Sequence, residues 1–338
     1  VHDDLVRPFM VVYDEEKVVP DPAMRLLLSA ARACQQQADT LQQTLTRVHD
    51  ATPAPDAWCN RDDRALNTMV RAQARRQIWR DCVLTSMSMA VHVADHVRAL
   101  GLLLTHVREH GAPVYAHAAL TRGAVESASW LWWLLAEGEP FATRLGRGVA
   151  FLVEDATLAI KAAQQVPSVA YMAAPGDGIK RRRQALLDRL EDARIETIAD
   201  RPGARLKGVR VVRGGEETST GTKVSTLVPE AFGNLPALYD LLSGTAHARA
   251  WGLSDSMSLH VDEAAWFANV IDVSASALTG LLAAQRAGAM FATYRGFPDD
   301  PGVAHMRDQH MNFDQEMVRY GRAAGLLTGV GPVTGFLD

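Results

Sequence analysis

The chain lacks paired cysteines. It has three in 338 residues, Cys34, Cys59 and Cys82. An odd number without zinc-type spacing argues against a disulfide framework and predicts free thiols in a reducing compartment. It also lacks a strong charge of either sign. Lys and Arg number 35 against 39 Asp and Glu, a formal net charge of −4. Overall charge therefore gives no support for nucleic-acid binding. No apolar run approaches the ~20 residues a membrane-spanning helix needs, and Ser127–Ala136, the most apolar stretch, is about half of that. No basic, apolar, then small-residue segment opens the sequence, so a cytoplasmic location and no membrane partner are expected. β-Branched runs are scarce, which favours helix over sheet. No internal repeat of fixed period is visible.

What is present is alanine-rich helical patterning. Hydrophobic residues make up 48% and charged residues 22%, enough for a sizeable core. Asp21 and Pro22 suit a helix start, and the pattern runs from there to Asp50. Pro53 and Pro55 mark a linker. A long helical stretch, continuous or interrupted, is expected from Asp62 to His110, then one from Pro113 to Ala136, then Phe141–Gln165 and Ile179–Ile198. Arg201–Gly233 combines glycines, threonines and charges without an apolar period. It is expected to be a mobile insertion with at most a short strand at Val209–Val212. Helix resumes from Pro236 to about Ala250. Asp262 is a candidate cap for a helix from Glu263 to Ala292, and a last helix spans Val303–Ala324. The expected fold is all-α, a multi-helix bundle with an N-terminal arm. Its parts are residues 1–60 as arm and linker, 61–296 as bundle core, and 297–338 as C-terminal helix and Gly-rich tail. Trp130–Leu135 should lie in the core.

Two polar stripes stand out on these apolar helices. Arg122, Glu126 and Trp130 form one. Tyr239, Ser243, His247 and Trp251 form the other. Four-residue spacing places each set on one slowly turning helix face. Buried polar groups need partners, so two such stripes on apolar helices are expected to face each other. Arg122, Glu126, Ser243 and His247 are the candidate catalytic group, with Tyr239 and Trp251 as ligand-binding candidates. A guanidinium needs several acceptors, and Glu126 alone does not satisfy it. His247 with a Ser243 or Tyr239 partner could act as a general base, or simply be a satisfied structural histidine. Ser243 is not on a nucleophile elbow, because no G-x-S-x-G occurs.

A third feature is the run His92, His96, His106 and His110. His92 and His96 have the i, i+4 spacing of metal ligands, but "HVADH" lacks the glutamate of a zincin motif. An exposed or boundary face is the plainer reading. No metal and no cofactor are expected. The basic run Lys180–Arg183, with Arg201, Arg205, Lys207, Arg210 and Arg213, is either a solvated surface or a polyanion footprint.

The segments "L-x-R-x-x-x-E" at Leu120–Glu126 and "Y-x-x-x-S-x-x-x-H" at Tyr239–His247 carry a resemblance. With "DH-x-x-x-L" at Asp95–Leu100, they resemble a set of uncharacterised, actinobacterial-type helical proteins that are distantly HEPN-like. The likeness covers roughly Val91 to Gly288. It implies a helical bundle, and a binding or regulatory role in a defence or stress system. HEPN ribonucleases carry an Arg, four to six residues, then a His on one helix. Here Asp240, Leu241 and Leu242 occupy the corresponding positions before His247. The ribonuclease chemistry therefore transfers only if Arg122 and His247 converge from different helices, without a metal. A metal-dependent hydrolase using His92, His96 and an acid such as Glu126 is the third reading. The expected partners are a second copy of the chain and an RNA or a protein.

Overall fold

The computed structural model describes residues 21–165, 175–199, 201, 205–233, 235, 238–247, 249, 257–260, 263–266 and 268–326. Trp251, residues 1–20 and the Gly-rich tail lie outside the described residues. Five helices make the central bundle: α1 (Asp21–Asp50), α3 (Ala72–Thr105), α5 (Ala116–Leu134), α10 (Val270–Arg295) and α11 (Pro301–Ala323). The N-terminal helix is built into this bundle, where α1 packs on α3, α10 and α11. Its buried stripe of Leu27, Ala30, Cys34, Ala38 and Leu41 explains why. Recurrence at three and four residues keeps these side chains on one face. Small residues let helices approach. A Cβ at Gly101 would lie 2.9 Å from the Ala31 carbonyl oxygen, so this α1–α3 crossing tolerates only glycine without a shift. The same holds at Gly148, where α6 (Phe141–Gln165) meets Cys82 of α3.

The fold is all-α with small β insertions, as the patterning indicates. Leu131, Leu134 and Leu135 of the Trp-rich segment are buried, and Trp130 is half-buried against Phe151. Several boundaries differ from the sequence expectation. The stretch from Asp62 to His110 is three helices: α2 (Trp58–Thr68), α3, and the single turn α4 (Val107–His110). His106 caps α3, so the four histidines do not share one continuous helix.

Strand is not confined to the Gly/Thr/Arg-rich region. After α7 (Pro175–Asp192), β1 (Glu196–Ala199) pairs antiparallel with β2 (Leu206–Arg210), which pairs with β3 (Thr218–Ser219). A separate hairpin, β4 (Met257–His260) and β5 (Glu263–Trp266), occupies part of the segment read as helix. The helix expected from Glu263 starts at Val270, because the cap is Asn269, whose side chain accepts from the Ile271 amide at 2.9 Å. The described part of the 201–233 region is packed rather than loose. Val209, Leu227, Val228 and Phe232 are buried. The buried Arg75 donates to the carbonyls of Ala193, Arg194 and Val211, tying β1 and β2 to α3. Here a cation inside satisfies backbone acceptors that a mobile loop would offer to water. Two helices pack on α5: α8 (Val224–Ala231), inside the 201–233 region where the patterning offers no helix, and α9 (Leu238–Ala246) after it.

Two buried polar connections hold the bundle in register. On α5, His117 bonds the Ser276 hydroxyl at 2.7 Å through Nδ1 and donates from Nε2 to the Val114 carbonyl at 3.1 Å. Burial pushes its pKa down, against the Val114 carbonyl, which raises it. The folded state therefore resists protonating His117. Its contribution to stability is complete above the ordinary imidazole range, about 6.5, and is lost as pH falls below that. His117→Gln is expected to flatten the dependence of unfolding free energy on pH below about 6.5. An unchanged slope in urea titrations across that window would contradict it. The second connection is the ion pair of Asp62 and Arg144. These side chains are only 1% and 2% exposed. Arg144 also donates to the Glu139 carbonyl and lies over the Trp58 ring, fastening α2 to the start of α6.

Candidate functional site

The two polar stripes meet. α5 and α9 pack together with Arg122 between them. Its Nε donates to Glu126 Oε1 at 2.7 Å, within α5. Nη2 donates to the Tyr239 hydroxyl at 3.2 Å, and Nη1 donates to His247 Nε2, both across the helix contact. The guanidinium carbon also stands 5.3 Å from the Tyr239 ring centre. Leu238 and Leu242, buried on the adjoining face of α9, press the helix onto α5. The four-residue period of Tyr239 and His247 then brings both to the same guanidinium.

The contacts fix one chemical detail. An arginine N–H only donates, so His247 Nε2 must accept. The ring proton of the neutral imidazole then sits on Nδ1. Glu126 pairs with Arg122, and the carboxylate does not bridge to His247. Arg122 is the hub instead. Ser243 is half-buried one turn before His247, and among the described residues no hydrogen bond joins its hydroxyl to Arg122 or Glu126. The side chains of Arg122 and Glu126 are 18% and 29% exposed, so the pair sits at the bundle's rim rather than sealed within it.

α3 supplies further polar neighbours, and among them His92 and His96 are the residues that the third sequence reading grouped with Glu126, whereas Ser127 and Gly123 were not singled out. His92 Nδ1 is 2.8 Å from the Ser127 hydroxyl, one residue past Glu126. His96 donates from Nδ1 to the His92 carbonyl, and the two rings lie 4.0 Å apart between centres. The His96 ring rests against Gly123, where a Cβ would collide with it. Thus the histidine pair and the Arg122 stripe form one polar seam across α3, α5 and α9. The signal was present in "TRGAVES", where Gly123 opens the space beside Arg122 and Ser127 follows Glu126. Antiparallel packing of α3 on α5 then sets His92 opposite Ser127 and His96 opposite Gly123. Burial first, and His96 next, hold the His92 pKa below its ordinary value, against Asp95 and Glu126, which raise it.

This seam does not form a metal cage. Among the described residues, no three His, Cys, Asp or Glu groups converge as ligands. His92 and His96 stack on each other, with Nδ1 contacts to Ser127 and the His92 carbonyl. In the basic run on α7, Lys180 pairs with Asp177, and of the later cations Arg205 and Arg210 pair with Glu154 and Glu196. Among the described residues no helix is long and apolar enough to cross a membrane. Compared with protein-family models, with curated proteins and with solved structures, the chain matches none.

Proposed function

We propose that this is a HEPN-like helical binding and regulatory protein of a defence or stress system, and that its α5–α9 seam takes a phosphate ester. One observation supports the ligand class. A guanidinium carries five N–H donors, and Arg122 spends three on Glu126, His247 and Tyr239. Two N–H donors remain, on a side chain that still reaches solvent. A phosphate oxygen matches that planar fork, and His247, itself an exposed residue, stands beside it. A second reading is favoured by the contact between Arg122 and His247. That pair would serve a metal-independent ribonuclease, with His247 moving a proton and Arg122 stabilising the charged phosphorus centre.

Fluorescence anisotropy with a labelled single-stranded RNA, competed by a mononucleotide or inorganic phosphate, tests the first reading. Salt-sensitive binding that Arg122→Met removes is the expected result. Competition by the mononucleotide would make the phosphate group the recognised unit, whereas competition by RNA alone would make it the polymer. No binding, or equal binding by Arg122→Met, would overturn the reading. Cleavage of the RNA in the presence of a chelator, lost in His247→Gln, would replace it with the ribonuclease.

A further inference from the structure

The face of α3 that the bundle leaves uncovered has a regular pattern. Leu84, Ser88, Val91, Asp95, Arg98 and Leu102 follow each other at intervals of four and three residues. That alternation averages 3.5 residues, the spacing of a coiled-coil seam, over about 27 Å of helix. Leu84, Val91 and Leu102 are 50%, 52% and 53% exposed, which is unusual for large apolar side chains aligned on one helix. The stripe borders an open groove of about 280 Å³ between α1 and α3. Ser88, Val91, His92 and Asp95 are among its walls. These are positions i, i+3, i+4 and i+7, the four residues that form a hole for a knob from a facing helix.

The charges in the stripe say what kind of helix fits. In a two-fold symmetric contact, residue i meets residue j and residue j meets residue i. Setting α3 antiparallel to a second α3, with Asp95 opposite the copy's Arg98, satisfies both charges twice. The same register sets Val91 opposite the copy's Leu102, again twice. Leu102 of each copy then becomes the knob for the hole of Ser88, Val91, His92 and Asp95 on the other. Arg98 already donates to Asp39 and Gln42 of α1, and its fork has donors left for a further carboxylate. A parallel pairing would put Asp95 against Asp95 and Arg98 against Arg98, which like charges oppose. We infer that α3 is a homodimer interface, in which a second copy docks antiparallel with Asp95 against Arg98 and Leu102 in the α1–α3 groove. This inference is independent of what the polar seam binds.

Sedimentation velocity of the full chain is the test, and a dimer is the expected species. Val91→Glu and Leu102→Glu are expected to give monomers with an unchanged helical circular dichroism spectrum, because both side chains are exposed in the single chain. Asp95→Arg is expected to do the same by setting like charges opposite each other. The register has its own readout. In a Cys59→Ser background, the Val91→Cys/Leu102→Cys double variant is expected to oxidise to a covalent dimer, while neither single variant does. A monomer at every concentration, or a dimer untouched by these substitutions, would overturn the interface. Cross-linking by a single cysteine variant would overturn the register.

Discussion

Replacing Arg144 by methionine is expected to destabilise the fold by about 3–5 kcal/mol, the usual cost of stripping one partner from a buried ion pair. Asp62→Leu should fall in the same range, because it leaves the guanidinium uncompensated. The pair is buried on both sides, and water cannot replace the missing partner. Stripping a charge is a different matter from removing both. Burial raises the Asp62 pKa, and outweighs Arg144 and Tyr294, which lower it. The desolvation cost of the carboxylate thus exceeds what its partner returns. Among the described residues, Asp62 Oδ2 and Arg144 Nε also have no hydrogen-bond partner. The double variant Asp62→Leu/Arg144→Met is therefore expected to recover most of the single-variant loss. Urea denaturation of the four proteins closes the cycle. Single variants within about 1 kcal/mol of the parent would show that water reaches the pair.

This pair was invisible from sequence, and the reason is physical. Asp62 and Arg144 are 82 residues apart, and nothing local distinguishes either from a surface charge. What sequence reveals well is what repeats along one helix. The apolar period of α1 and the Trp-rich segment of α5 predict their burial. The Arg122/Glu126 and Tyr239/His247 stripes predict a polar contact because each is confined to one helix face. The arrangement across helices is set by packing. That His92 lies opposite Ser127 depends on the α3–α5 register, which close approach at Gly123 permits. Likewise, β1 and both strands of the β4–β5 hairpin are only four residues long. Four residues are too few for a period to declare itself. At Asp262–Glu263 a plausible cap outweighed that weak strand signal.

The Arg122 cluster is where stability and binding are expected to diverge from an ordinary surface pair. Arg122→Met removes three charge-assisted contacts at once, each modest because the side chain is partly exposed. The expected loss is about 2 kcal/mol, below that of the sealed Asp62–Arg144 pair. Glu126→Ala should cost less, about 1 kcal/mol, because Arg122 keeps His247 and Tyr239 and still reaches water. The distribution of the loss matters more than its size. Two of the three contacts run to α9, a helix of nine residues held otherwise by Leu238 and Leu242. Helices that short are not stable alone and depend on tertiary packing. Hydrogen exchange should therefore accelerate in the α9 amides of Arg122→Met, while α3 and α10 keep their protection. Tyr239→Phe, which removes one contact and keeps the ring, should produce a smaller acceleration in the same segment. If α9 exchanged no faster in Arg122→Met than in the parent, its apolar face alone would be holding it. Arg122 would then be free to serve a ligand without any structural duty.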